Sequence, residues 1–468
     1  MHVLTMRASR LALLAGSGLL SAQPLWAQAA ATRVSLTLER TVAEAVKNYP
    51  SIRVSQEQMN AASAAIQLAR TAYLPRLDLL AQFNRATRNN IFGMLLPQNI
   101  IPSISGPVLG TNNGGSAWGS AAGMLVSWEP FDFGARSATV AAAGAERAAR
   151  QASLKRTQFE VSVAAADAYV TLLASEEAVK AAQAGVDRAA TLARTTHALV
   201  NADLRPGADA SRAEAEMASA KTQLIQSDEA VEIARANLAR FTGMDPEQIV
   251  LEADGLLRPA PESPPTRFVP GATPGAMEQT AVVEQVRAQL RILERSYFPR
   301  FFLQAAAYGR GSGAELSGTL AGGANGLAPT TQNYALGVSI TFPVFDRASI
   351  HAREAEKQST LRAEEARYEQ VVRDLRAGWN EAVAKLSGAR RVAENIPAQL
   401  KAAQAANDQA NARYQAGLGN IDEVAEAQRL LTQTEIDDAL ARLGVWRGLL
   451  AVAAVAGDIQ PFVAEAGQ

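Results

Sequence analysis

The chain has 468 residues, with 45 Lys and Arg against 46 Asp and Glu, three His and no Cys. A formal charge of −1 gives no electrostatic basis for binding nucleic acid, and none is expected. The absence of Cys excludes disulfides, thiolate metal sites, a Cys nucleophile and a lipid-modified N-terminal Cys.

The first predicted element is an export signal. Arg7 and Arg10 precede a short apolar stretch over residues 11–20, and Ala27-Gln28-Ala29 offers a small-x-small cleavage site. This predicts a signal peptide over residues 1–29. No later run is expected to cross a membrane as a helix, since the apolar stretch 448–457 has half the needed length. Any spanning would fall to strands.

A first unit, residues 30–257, opens with a helix that runs to Tyr73-Leu74-Pro75-Arg76. A strand is expected over residues 77–85. A second is marked by Trp118, Ala122, Met124, Val126 and Trp128 alternating with Gly119, Ala121, Gly123 and Ser127. Period two with one large-apolar face fits a half-buried or lipid-facing strand. The loop between them, residues 88–117, carries Phe92, Met94, Leu95, Leu96 and Ile100 and is expected to fold over or into a barrel mouth. After Pro130-Phe131-Asp132 comes a proline-free stretch over 135–200, a helix of about 100 Å at about 1.5 Å per residue. The returning helix carries Ala213, Met217, Ala220, Leu224, Ser227, Val231, Ala234, Leu238 and Phe241 at alternating spacings of four and three, a coiled-coil seam.

Six prolines between Pro259 and Pro274 predict a linker over residues 258–275. Then the pattern returns over residues 276–457. Tyr297-Phe298-Pro299-Arg300 repeats the first motif, and Pro343-Val344-Phe345-Asp346 repeats Pro130-Phe131-Asp132 with one insertion. Ala213-Glu214 returns 214 positions later as Ala427-Gln428. Strands are expected over 301–308 and through Tyr334, Leu336, Val338, Ile340, Phe342 and Val344. A second long helix over 350–416 contains Pro397, which predicts a kink. Residues 458–468 form a tail. Four strands cannot close a barrel, so spanning requires oligomerisation.

No catalytic constellation is present. His2 lies in the export signal, and His197 and His351 lie in different halves. Gly309-Arg310-Gly311-Ser312-Gly313 opens no helix and reads as a flexible loop. No GxSxG, P-loop or HExxH motif occurs. No cofactor and no metal site is expected, and the chain is not expected to be an enzyme.

The order of these motifs, taken with their duplication, resembles the TolC-like outer-membrane efflux protein (outer membrane factor) family, over nearly all of the mature chain. The resemblance implies an internally duplicated α+β membrane protein. Four strands per chain would form a trimeric 12-stranded outer-membrane β-barrel, continued by a long periplasmic α-helical coiled-coil barrel. It implies a passive exit duct of a tripartite efflux or type I secretion system, in the outer membrane and reaching into the periplasm. Its partners would be two further copies, outer-membrane lipid, a periplasmic adaptor (membrane fusion) protein and an inner-membrane pump of RND or ABC type.

Two sites follow from the resemblance. Glu423 and Glu426 fall at the family's acidic constriction rings, Tyr414 at its gate tyrosine and Asp209 at that tyrosine's hydrogen-bond partner. Gly419 departs from the pattern, standing where an arginine of the gate salt bridge is expected. Gly417 and Leu418 match the adaptor-docking tip, and Leu204 is its counterpart on the first tip, where Asp203 replaces the glycine. Two competing readings are a periplasmic coiled-coil adaptor, which would carry a single hairpin, and a soluble periplasmic enzyme or binding protein.

Overall fold

A computed structural model describes residues 34–87, 115–252, 255–261, 268–314 and 319–467. The expected export signal and nearly all of the 88–117 loop lie outside the described residues. The element order is β1 (Val34–Leu36), α1 (Leu38–Asn48), α2 (Pro50–Thr71), β2 (Arg76–Thr87), β3 (Ser116–Phe131), α3 (Ala135–Asn201), α4 (Gly207–Thr242) and β4 (Ile249–Leu251). It continues with α5 (Pro274–Arg295), β5 (Arg300–Ser312), β6 (Thr331–Thr341), α6 (Arg347–Gln415), α7 (Ile421–Ala456) and α8 (Gln460–Ala466). The order helix, strand, strand, long helix, shorter helix thus occurs twice.

The four longer strands form one antiparallel sheet in the order β2-β3-β5-β6, with β2 and β6 as its edges. Register places Leu79, Met124, Ala307 and Tyr334 in one row, and Leu77, Val126, Ala305 and Leu336 in the next. On this face Leu79, Tyr334, Leu336 and Val338 are exposed. The opposite face carries Asp78, Gln82, Ser127, Gln304 and Asn333, with Leu125, Ala121 and Ala306 buried among them. Water on the apolar face would oppose this arrangement, and hydrocarbon would not.

Strands β2, β3 and β5 are longer than their sequence signals, whereas β6 ends at Thr341, short of the expected Phe342 and Val344. Strand β5 extends to Ser312, so Gly309 to Ser312 are strand and not the expected loop. Glycine is needed there for close approach. A Cβ on Gly311 would collide with the carbonyls of Ala328 and Gly326, which lie against the strand.

Helices α3 and α6 run 67 and 69 residues, about 100 Å each. Helix α6 continues through Pro397. The seam of α4 packs on α3, with Ala213, Ser227, Val231, Ala234, Leu238 and Phe241 buried. Helix α7 corrects the expectation drawn from residues 448–457 alone. It holds a window apolar enough to cross a membrane by length and composition, with 56% of that window buried inside the fold. Val445, Trp446, Leu449, Leu450 and Val452 are core residues.

The main core lies partway along the helices. It gathers Leu36, Leu38, Tyr169, Leu172, Leu238, Ile249, Trp446, Leu450 and Phe462 from β1, α1, α3, α4, β4, α7 and α8. Three elements there had no sequence signal. Strands β1 and β4 pair in parallel, Val34 with Ile249, and α8 occupies residues expected to be a tail. The Tyr169 hydroxyl is buried and donates toward the carbonyls of Leu36 at 3.1 Å and Glu252 at 2.7 Å, tying α3 to both strands. Tyr169→Phe removes that donor from a buried site and is expected to cost about 1–3 kcal/mol. A melting curve in detergent reads this; an unchanged midpoint would remove the hydroxyl from the account.

Candidate functional site

Two helical hairpins turn at one end of the molecule, and their turns are built alike. Helix α3 ends with Asp203 at φ 57 and the Leu204 N–H bonded to the Leu199 carbonyl at 2.9 Å. Helix α6 ends with Gly417 at φ 78 and the Leu418 N–H bonded to the Arg413 carbonyl at 2.9 Å. Both are left-handed helix stops, with Asp tolerated at the first and Gly free of strain at the second. The next residue in each, Leu204 and Leu418, is 69% and 73% exposed.

Helix α7 then starts at the Asn420 cap, whose side-chain oxygen accepts from the Glu423 N–H at 2.9 Å. Glu423 lies 3.7 Å from Arg413, and Glu426 bonds Arg429 at 2.6 Å. Both carboxylates remain largely exposed. Arg212 of α4 pairs with Asp422 at 3.2 Å, and Arg429 reaches Glu216 at 3.8 Å, so ion pairs link the two hairpins.

Beneath the turns Tyr414 is 2% exposed, in a small core with Leu192, Ala193, Ala213, Ile421 and Val424. Its hydroxyl donates to Asp209 Oδ2 at 3.2 Å and lies 3.4 Å from Thr196 Oγ1. Burial pushes the phenol above its ordinary value of 10.0, and the Asp209 charge adds to this against the Thr196 bond. The contribution of the protonated phenol is therefore full below pH 10 and is lost only as pH rises past the higher folded value.

The structure brings Tyr414 and Asp209 together and puts Gly417, Leu418 and Leu204 at the exposed turns. Glu423 and Glu426 lie three residues apart at the start of α7, neither touching Tyr414's hydroxyl. Sequence reading missed Arg205. Its guanidinium donates to the Tyr414 and Gly419 carbonyls and lies 4.4 Å over the Tyr414 ring. A signal existed in the 214-residue offset, which sets Arg205 opposite Gly419. His197 pairs with Glu214 at 2.8 Å within the first hairpin. Among the described residues no group of His, Asp or Glu is arranged to hold a metal ion.

A second junction joins sheet to helix. Asp132 accepts from the Arg136 N–H and Nε, each at 2.7 Å, and from the Gly134 N–H at 3.1 Å. Arg136 also donates to the Ala72 carbonyl at 3.3 Å and stacks 4.7 Å over the Tyr73 ring. Burial alone would raise the Asp132 carboxyl, but the Arg136 and Gly134 bonds and the Arg136 charge outweigh it and hold it below 3.8.

The described geometry contains long paired helices, a sheet with an apolar outer face and no reaction centre. The sequence profile of the outer membrane efflux proteins matches residues 41–244 and 277–458. The chain is 27% identical over 311 residues to the cobalt-zinc-cadmium resistance protein CzcC of Cupriavidus metallidurans, covering 66% of this chain and 70% of that protein. It is 24% identical over 339 residues to the pyoverdine export outer membrane protein OpmQ of Pseudomonas aeruginosa, covering 70% and 68%. Its fold is that of the Campylobacter jejuni CmeC outer membrane channel, with a TM-score of 0.71 at 16% identity over 92% of this chain and 89% of that one. Neither a single-hairpin adaptor nor a soluble enzyme accounts for a profile that matches both halves. The chain belongs to the outer membrane efflux protein family, and it is a channel of the outer membrane and not an enzyme.

Proposed function

We propose that three copies of the chain join their sheets into a 12-stranded barrel and their helices into a tunnel through the periplasm. The observation that carries this reading is the four-stranded sheet with an exposed apolar face and two unpaired edges. Lipid tolerates the face but not the edges, so β6 of one copy must meet β2 of the next. The repeated element order is the trace of an internal duplication. The duct is passive and closed at the hairpin tips, where three-fold symmetry gathers Glu423 and Glu426 into acidic rings and the Tyr414–Asp209 bond holds the second hairpin in. Leu418 with Gly417, and Leu204, dock a periplasmic adaptor, and an RND or ABC pump in the inner membrane supplies the energy. Relatives named for metal resistance and for pyoverdine export point to cargo selection by the pump and not by the duct.

Single-channel recording of detergent-purified protein in planar bilayers tests this. Stable openings that prefer cations and are blocked by divalent ions are expected from the acidic rings. Replacing Glu423 and Glu426 together with Ala should bring the cation-to-anion permeability ratio to about unity and relieve the block. Unaltered selectivity would place the constriction elsewhere. A monomer that stays soluble without detergent would overturn the barrel.

A further inference from the structure

We propose that Arg205 is the clasp of the closed gate, an arginine carried on the first hairpin that locks the second through its backbone. The inference rests on the gate reading above and supplies what Gly419 lacks. The 214-residue offset that maps Asp203 onto Gly417 and Leu204 onto Leu418 maps Arg205 onto Gly419. The two tips are equivalent turns by their left-handed stops, so the arginine occupies the same place on the opposite tip. It reaches across to its own counterpart. One guanidinium nitrogen donates to the Gly419 carbonyl at 3.3 Å, another to the Tyr414 carbonyl, and the plane lies 4.4 Å over the Tyr414 ring.

Tyr414 lies in the last turn of α6 and Gly419 in the turn that follows it. The Tyr414 carbonyl also receives the Gly417 N–H at 3.1 Å, so the guanidinium sits on the negative end of the helix. A planar fork satisfies two carbonyls and a ring face together, which an ammonium cannot do. Gly419 suits this seat. A Cβ there would lie 3.2 Å from Arg413 Cβ and 3.2 Å from Glu423 Oε2, so a side chain at 419 would crowd the turn that Arg205 grips.

The clasp has no carboxylate partner among the described residues, since its contacts are carbonyls and a ring. Salt weakens these hydrogen bonds and the ring contact less than it weakens the exposed Arg212–Asp422 and Arg429–Glu216 pairs, and acid does not protonate the carbonyl acceptors. Arg205 directly follows the exposed Leu204, so a load on Leu204 is transmitted to the clasp within one residue.

The test is open probability in planar bilayers for the wild type, Arg205→Ala, Arg205→Lys and Tyr414→Phe, each shown to have the wild-type oligomer size in detergent. Arg205→Ala should raise open probability on the order of tenfold. Arg205→Lys should recover only part of the closure, and the effect of Arg205→Ala should persist from low to high salt. Wild-type open probability in Arg205→Ala, alongside an opened Tyr414→Phe, would overturn the clasp and leave the gate standing. An effect that vanishes at high salt would overturn it too, because it would mean a charged partner. Unchanged closure in both Arg205→Ala and Tyr414→Phe would overturn the gate reading and the clasp with it.

Discussion

Arg136→Ala is expected to destabilise the protein by about 3–5 kcal/mol, the cost of stripping one partner from a buried ion pair. Asp132 and Arg136 side chains are 9% and 10% exposed, so water does little to replace what is lost. The substitution leaves Asp132 with its backbone donors but without the Nε bond and the adjacent charge. It also frees the Ala72 carbonyl and uncovers the Tyr73 ring, disconnecting the start of α3 from the segment that leads into β2. Lysine should rescue little, since one ammonium cannot reach both Asp132 and Ala72 in this geometry. Thermal unfolding in detergent measures the loss. Its pH dependence gives a second reading. A carboxyl held below 3.8 stabilises the fold fully above that value and loses its contribution as pH falls through the lower folded value. Arg136→Ala should flatten that acid limb, and an unchanged limb with an unchanged midpoint would show the pair to be inert.

Leu204→Glu combined with Leu418→Glu is expected to abolish adaptor-dependent export. The two side chains are the exposed apolar residues that follow the left-handed stops, 69% and 73% exposed with no core role. Apolar anchors at the centre of an interface are worth about 2 kcal/mol or more each when truncated, and a buried charge adds to the loss. Two such changes would weaken docking on the order of a thousandfold if they act independently. Pull-down of the adaptor and export from whole cells read the effect, with oligomer size in detergent as the check on assembly. Export at wild-type level would move the docking surface away from the tips.

Much of the fold was legible because its signals repeat locally. The alternation through Tyr334, Leu336 and Val338 is fixed by the pleat, and the four-three spacing from Ala213 to Phe241 by the helix that packs on α3. What escaped has a non-local cause. Val34–Leu36 is a strand only because Ile249–Leu251 lies beside it. Gly309 to Ser312 looks like a loop by composition, yet it is a strand because residues 119–122 of β3 pair with it. The apolar content of α7 was undervalued by starting at Gly448, whereas Val445 and Trp446 belong to the same buried face. At the tips the resemblance singled out Tyr414 and Asp209, but Arg205 was passed over. Its partners are main-chain carbonyls, which no residue pattern displays.

The main core also has a temporal side. Leu36, Ile249, Trp446 and Phe462 share one cluster, which therefore draws on the beginning, middle and end of the chain. Each doubling of the intervening chain adds only about 0.6 kcal/mol of closure entropy, but the contacts that repay it arrive together and late. Neither hairpin can complete this cluster alone, because the first lacks Trp446 and Phe462 and the second lacks Leu36 and Tyr169. The long helices can form as they emerge, while the knot at their waist waits for α8. Until then the apolar faces of the strands and of α7 stay uncovered, which is the state of the chain most prone to aggregation.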